Sequence, residues 1–534
     1  MARRLWLVAV CALFALSAAT AAQIIDSAVP GDPIAIDTGR IAGSILPSGV
    51  HTYFGVPYAA PPVRDLRWKA PQPLTPWKGV YYAVQRPPAC YQRAASPMAN
   101  GYGGPEAMSE DCLYLNVYTG APNALAKQPV MVWIHGGAWT SGAGAIYQGE
   151  DLAKKGVVYV SVNYRLGVFG FLADPALGED SGDYGLEDQQ AALRWVQRNA
   201  TAFGGNPHNV TLAGESAGSV STCSHLAMPS SRGLFQRAIM NSGPCAENGE
   251  WPYRDGNWYP RPRAVAYQQG AALAKDLGCT DPADVAGCLR TASVATLLDK
   301  SFGGQGYGPA YGAGSPLPTG PGQAIASGRY SKVPVMHGTT RDEHRLFVAA
   351  IEAMSGHVTT AQDYQSDLTA VFGADAGRVL AEYPLGDFSS PSLALATVWT
   401  DRAWSCPALR TAAGFATRVP TYAFEFADRD APWASDVTKP GFPTGAFHAA
   451  ELQYLFEDPQ FPGPVTKAQR QLSDRMISYW RSFARTGDPN GAGVPPWSRF
   501  QPATGAVQSL APATVGPVDL GAEHRCDFWS TIDD

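Results

Sequence analysis

Gly214-Glu215-Ser216-Ala217-Gly218 carries the strongest chemical signal in the chain. A serine hydroxyl can attack a carbonyl carbon only if it stands clear of its own backbone. A sharp turn from strand into helix achieves that, and glycines two residues either side permit the turn. Val210 to Ala213 reads as the strand and Ala217 to Met228 as the helix, so Ser216 is a nucleophile candidate rather than a small-residue turn. Near neutral pH such a serine needs a histidine to take its proton and a carboxylate to orient that histidine. The chain order for this turn is serine, acid, histidine. Asp342 and Glu343 follow the apolar run Val333 to His337, just beyond a strand end. Adjacent residues point in different directions, so only one of the two can face the histidine. His344, His357, His448 and His524 come after the acid. His448 lies in a loop after Gly445, before Leu452 to Phe456, and is one candidate base. His344 beside the acid and His524 near Cys526 suit structural roles.

A developing oxyanion needs preorganised N–H donors. His135-Gly136-Gly137-Ala138 supplies a tight turn after a strand, and the amides of Gly137 and Ala138 can join that of Ala217. Donors of this kind are each worth about 10² to 10³ in rate.

These residues need a scaffold. Pro129 to Ile134, Gly156 to Asn163, Val210 to Ala213, Phe235 to Met240 and Val333 to His337 read as buried strands, and Gly185 to Arg198 as a helix. Strand alternating with helix predicts an α/β fold, a mostly parallel sheet covered on both faces. Gly303 to Gly322 holds eight glycines and four prolines. The aromatic anchors Phe302, Tyr307 and Tyr311 argue for an ordered surface loop rather than a linker. The 534 residues would allow two or three domains by length alone.

Hydrophobic residues at 45% exclude disorder, and a formal charge of -6 without a Lys/Arg run argues against nucleic-acid binding. Arg3 and Arg4, the apolar stretch Leu5 to Leu16 and the small residues to Ala22 fit a secretory signal peptide over residues 1–22. That stretch is too short to span about 30 Å of hydrocarbon, so no stable membrane insertion is expected after its removal. A secreted or periplasmic location gives meaning to the cysteines. Without Cys11 there are eight, an even number that permits four bridges and 105 pairings.

With these motifs in place, the sequence resembles the type B carboxylesterases, of the α/β-hydrolase fold, and a secreted member of bacterial type. The resemblance rests on Tyr53 to Ala59, Ser109 to Val117, Asn163 to Gly167, the serine turn with glutamate before the serine, and the Glu343 and His448 segments. It implies Ser216 as nucleophile, His448 as general base and acid, Glu343 as orienting carboxylate, and Gly137, Ala138 and Ala217 as the oxyanion hole. It implies one catalytic domain over residues 23–534, a small-molecule ester substrate and no cofactor or metal. It pairs Cys90 with Cys112, Cys279 with Cys288 and Cys406 with Cys526. Cys223 and Cys245 have no counterpart, and a bridge between them is the remaining possibility. Arg67 with Glu110, and Arg165 with Asp188, resemble the family's structural ion pairs.

Three departures stand out. Ala138 replaces a third glycine, and His344 replaces the glycine after the acid, where a side chain would be strained at unusual φ. The segment between Cys90 and Cys112 has no tryptophan to hold a quaternary ammonium, which argues against choline esters. Trp139, Phe447, Tyr307 and Tyr311 are candidates to line an apolar gorge. Convergence of two or more of Arg254, Arg261, Arg263, Arg345 and Arg402 there would favour a polyanionic acyl group, as in fumonisin esterases. A lipase, and a non-catalytic cholinesterase-like binding protein, are the competing readings. The sequons at Asn199 and Asn209 matter if the host glycosylates.

Overall fold

A computed structural model describes residues 25–93, 108–245, 259–301, 306–434, 437–457 and 462–532. The expected signal peptide lies outside the described residues. Twelve strands form the main sheet. In chain order they are β1 (Ile25–Ala28), β2 (Ser44–Ile45), β3 (His51–Pro57), β4 (Tyr114–Thr119), β5 (Gln128–Ile134) and β6 (Val158–Val162). Then come β7 (Gly205–Glu215), β8 (Arg237–Asn241), β9 (Val335–Thr340), β10 (Thr421–Phe426), β11 (Ala506–Leu510) and β12 (Val515–Asp519). Their spatial order is β1-β2-β3-β4-β6-β5-β7-β8-β9-β10-β11-β12. From β6 to β11 every pairing is parallel, and antiparallel strands flank that block on both sides.

Alternate residues of β5 enter different cores, as a period of two requires. Val130, Val132 and Ile134 join one cluster with Leu186 and Leu193 of α1 (Tyr184–Asn199) and Val220 of α2 (Ala217–Ala227). Met131 and Trp133 join the other, against α4 (Lys467–Thr486), which follows α3 (Arg345–Ser355). In α4 a Thr466/Gln469 capping box starts the helix, and Leu472, Met476, Trp480 and Phe483 recur at helical spacing on its buried face. Both faces of the sheet are therefore covered, as the apolar strands predict, and the fold is that of the α/β-hydrolases.

β5 has β6 on one side and β7 on the other, so chain order reverses there, and the crevice beyond the carboxyl ends of strands at such a point is where ligands bind. The loop His135 to Trp139 and Ser216 both leave strands at this place.

The glycine-rich segment is more than a surface loop. Ala310–Tyr311 pairs in parallel with Arg261–Pro262, Tyr307 and Leu317 are buried, and Pro321–Ser327 is helical. Phe302 lies outside the described residues. All four disulfides form, including Cys223–Cys245. Arg67 meets Glu110 at 2.6 Å and Arg165 meets Asp188 at 2.7 Å. Asn199 is buried and hydrogen-bonded to Asp37 within α1, so its sequon is closed in the folded state. No described helix is long and apolar enough to cross a membrane.

Candidate active site

Ser216 occupies the single residue between β7 and α2, with φ +56° and ψ -123°. A non-glycine residue holds such a backbone only where its surroundings over-determine it. Here the Ser216 amide donates to Asn241 O at 2.9 Å, and Val220 N donates to Ser216 O at 3.0 Å. The flanking glycines are dictated by close approach. A Cβ on Gly218 would stand 2.0 Å from Ile134 O, and one on Gly214 would stand 2.4 Å from Gly218 O.

The facing turn is strained as well. Gly137, Ala138 and Trp139 have φ of +94°, +54° and +57°. Ala138 thus takes the left-handed backbone that favours glycine. Among the described residues no hydrogen bond consumes the amides of Gly137, Ala138 or Ala217, and Ala217 is the first residue of its helix, where an N–H lacks an intrahelical partner. His135 anchors the turn: it stacks on Tyr164 at 4.4 Å, whose hydroxyl donates to His135 O, and burial lowers its pKa to about 4.

Of the two adjacent acids, Glu343 is the one that meets His448. Glu343 Oε2 accepts from His448 Nδ1 at 2.6 Å, and Glu343 Oε1 accepts from Thr339 Oγ1 at 2.6 Å and from the Thr340 amide at 2.8 Å. Burial alone would raise the Glu343 pKa, but the His448 charge and these hydrogen bonds outweigh it and hold the carboxyl below its ordinary value. Asp342 points elsewhere, to Arg345, Arg429 and the Ala446 amide. The other ring nitrogen, His448 Nε2, lies 3.0 Å from Glu215 Oε1, next to Ser216. Trp404 and Phe347 pack on the imidazole at 4.6 and 5.0 Å. Ser216 and Trp404 line one cavity, so the histidine, the acid and the serine turn converge.

A profile of the carboxylesterase family matches residues 31–529. The chain belongs to the carboxylesterase family. It is 34% identical to the human "cocaine esterase", over 92% of this chain and 90% of that protein. It is 35% identical to the mouse "acylcarnitine hydrolase", with 92% and 90% covered, and 34% identical to the rat "pyrethroid hydrolase Ces2e", with 92% and 88% covered. These relatives are mammalian and lend no support to a bacterial type. Family and relatives together make the protein a carboxylic ester hydrolase.

In this carboxylesterase the cavity beside Ser216 measures ≈ 10 Å³, room for about one water, so its wall residues set what can approach the serine. Ala138, Trp139, Val220, Ser242, Gly243, Tyr259 and Trp404 form that wall. Trp139 lines it as expected. Phe447 does not: it packs on Trp433 in the core beneath the sheet, because the backbone that delivers His448 to Glu343 turns its neighbour inward. Tyr307 and Tyr311 are not among the lining residues either, being drawn into the packing around the Arg261–Ala310 pairing. Ser242 and Gly243, unmarked in the sequence, follow the end of β8, where the carboxyl ends of the strands open onto the crevice. Trp404 arises from a π-helical turn, Thr400–Ser405, and has no local signal. Glu451, also unmarked, is buried near Glu343; burial first, and then the Glu343 charge, push its pKa up to about 8.

His344 is not strained, having φ -78° at the start of α3. Its Nδ1 accepts from Trp404 Nε1 at 3.2 Å, so the departure from glycine steadies a cavity wall residue. None of the four described arginines lines the cavity. Arg261 donates to Gly306 O, Arg263 lies 4.0 Å from Asp183, Arg345 pairs with Asp342, and Arg402 lies over Trp529. Arg254 and most of the segment between Cys90 and Cys112 lie outside the described residues.

Proposed function

We propose that the protein is a secreted serine carboxylesterase, built as one catalytic domain after a signal peptide, that works through an acyl-enzyme on Ser216. The observation that carries this reading is the His448–Glu343 pair standing against Glu215, the residue that precedes the cavity-lining Ser216. Glu343 accepts the Nδ1 proton, which fixes the tautomer and leaves Nε2 to take the serine proton as Oγ attacks the ester carbonyl. The imidazolium so formed has Glu343 on one side and Glu215 on the other. The amides of Gly137, Ala138 and Ala217 hold the oxyanion. His448 then protonates the leaving alcohol; in the second half it takes a proton from water as that water attacks the acyl carbonyl, and returns it to Ser216 Oγ as the acid departs.

Four disulfides support export to an oxidising compartment. The relatives are named for three different substrates, so ester hydrolysis is what carries over, and the acyl and alcohol preferences rest with the cavity wall. The four described arginines stand away from that wall and lend the polyanionic reading no support. A stoichiometric burst of p-nitrophenol from p-nitrophenyl acetate is expected, and Ser216→Ala abolishes it. A burst that survives the substitution refutes the assignment; no burst in the wild type favours a binding protein, and activity that rises at an oil-water interface favours a lipase.

A further inference from the structure

Cys223–Cys245 is the bridge without a counterpart in the resemblance, and it closes over the site. Cys223 lies on α2, the helix that Ser216 begins, while Cys245 lies four residues beyond the end of β8. Between strand and cysteine come Ser242 and Gly243, both of which line the Ser216 cavity. Met240 Sδ packs 3.4 and 3.6 Å from the two sulfurs. Gly243 O accepts from Ser219 Oγ at 2.6 Å, and a Cβ on Gly243 would stand 2.5 Å from Ser216 O. The bridge therefore presses a piece of cavity wall onto the first turn of the nucleophile helix.

The wall is strained where it is pressed. Ser242 has φ +48°, a backbone that an ordinary side chain keeps only under constraint. Its amide donates to Gly338 O at 2.8 Å, which ties one side, and the disulfide ties the chain three residues later. The Ser242 hydroxyl is buried and has no hydrogen-bond partner among the described residues. A buried hydroxyl without a partner is costly, and a substrate oxygen reaching into the cavity would relieve that cost.

Resting on the reading of Ser216 as nucleophile, we propose that Cys223–Cys245 is a specificity clamp: it holds Ser242 in the cavity wall so that its hydroxyl hydrogen-bonds an oxygen of the ester near the scissile carbonyl. The favoured substrates are esters whose acyl chain carries an ether or hydroxyl oxygen close to the carbonyl, over alkyl chains of the same size.

p-Nitrophenyl methoxyacetate and p-nitrophenyl butyrate form a nearly isosteric pair that differs in one such oxygen. Their intrinsic reactivities differ, so the readout is the change in their kcat/KM ratio between wild type and variant. Ser242→Ala is expected to lower the methoxyacetate-to-butyrate ratio by about three- to tenfold, the worth of one hydrogen bond. Cys223→Ala/Cys245→Ala, or the double serine variant if the first does not fold, is expected to lower it similarly while keeping the p-nitrophenyl acetate burst per folded molecule. Removal of Cys279–Cys288 leaves the ratio unchanged. A clamp variant that loses thermal stability but keeps the wild-type ratio makes the bridge merely structural and overturns the proposal, as does an unchanged ratio in Ser242→Ala. Failure of the catalytic reading looks different, as a missing burst in the wild type.

Discussion

Two buried histidines in this chain each stand between two carboxylates. His448 has Glu343 at Nδ1 and Glu215 at Nε2, at 2.6 and 3.0 Å. His524 has Asp401 at Nδ1 and Glu425 at Nε2, at 2.6 and 2.8 Å. The chemistry of the two groups is nearly the same, and their surroundings are not. Around His524 the acids are shared with cations: Arg341 reaches Glu425 and Arg525 reaches Asp401. Tyr383 donates a further hydrogen bond to Asp401. Burial disfavours the charged His524, but its two hydrogen-bonded carboxylates prevail and push its pKa up to about 10. Near neutral pH it is a charged tie between Asp401 and β10. His448 instead packs on Trp404, which lines a cavity together with Ser216. The two histidines thus share one arrangement of acids and differ in what lies beyond it: cations and a tyrosine around His524, the neighbour of Ser216 beside His448.

The comparison breaks most sharply under exchange of the two sites. His448→Gln is expected to lower kcat/KM by about 10⁴-fold or more with little change in stability. His524→Gln should leave kcat of the folded enzyme within about twofold while costing about 3 to 5 kcal/mol, because it strands buried charge. Ester kinetics beside urea unfolding of both variants checks this, and a large kcat loss in His524→Gln would erase the distinction.

The adjacent acids provide the next contrast. Glu343→Gln should cost about 10⁴ in kcat by disturbing the tautomer of His448. Asp342→Asn loosens the Arg345 and Arg429 contacts, and its kcat should stay within about tenfold of wild type, measured on the same ester.

Stability against pH sharpens the comparison further. The folded-state pKa of His524 is raised from 6.5 to about 10, so its stabilising effect is complete below about pH 6.5 and is lost as pH rises through about 10. Unfolding free energies measured across that window should fall in the wild type, and His524→Gln should flatten the slope. The smallest effect is expected at His344. His344→Gly removes the acceptor for Trp404 Nε1 and should lower kcat/KM by about two- to tenfold, with no loss of the burst.

Much of the site is legible in the chain because turn chemistry is local. Gly214 and Gly218 announce a close approach around Ser216, and Gly136 with Gly137 announces the facing turn, since the backbone geometry itself demands them. The parallel sheet is legible for a similar reason: strands buried on both faces are apolar throughout. Trp404 and Glu451 escape such reading, because each enters the site from a segment whose own residues give no reason for it. Phe447 misleads because an aromatic beside a catalytic candidate looks the same in sequence whether it faces cavity or core.

By itself the sequence determined the kind of chemistry, a serine raised on a strand-to-helix turn facing a glycine turn, with an acid and a histidine following in order. Steric permission is a property of a few neighbouring residues, so it is written locally. The tertiary structure decided which of two adjacent carboxylates meets which of four histidines, and which cysteines press on the cavity wall. Those choices depend on side-chain directions leaving strands far apart in the chain, and only the packed sheet sets them.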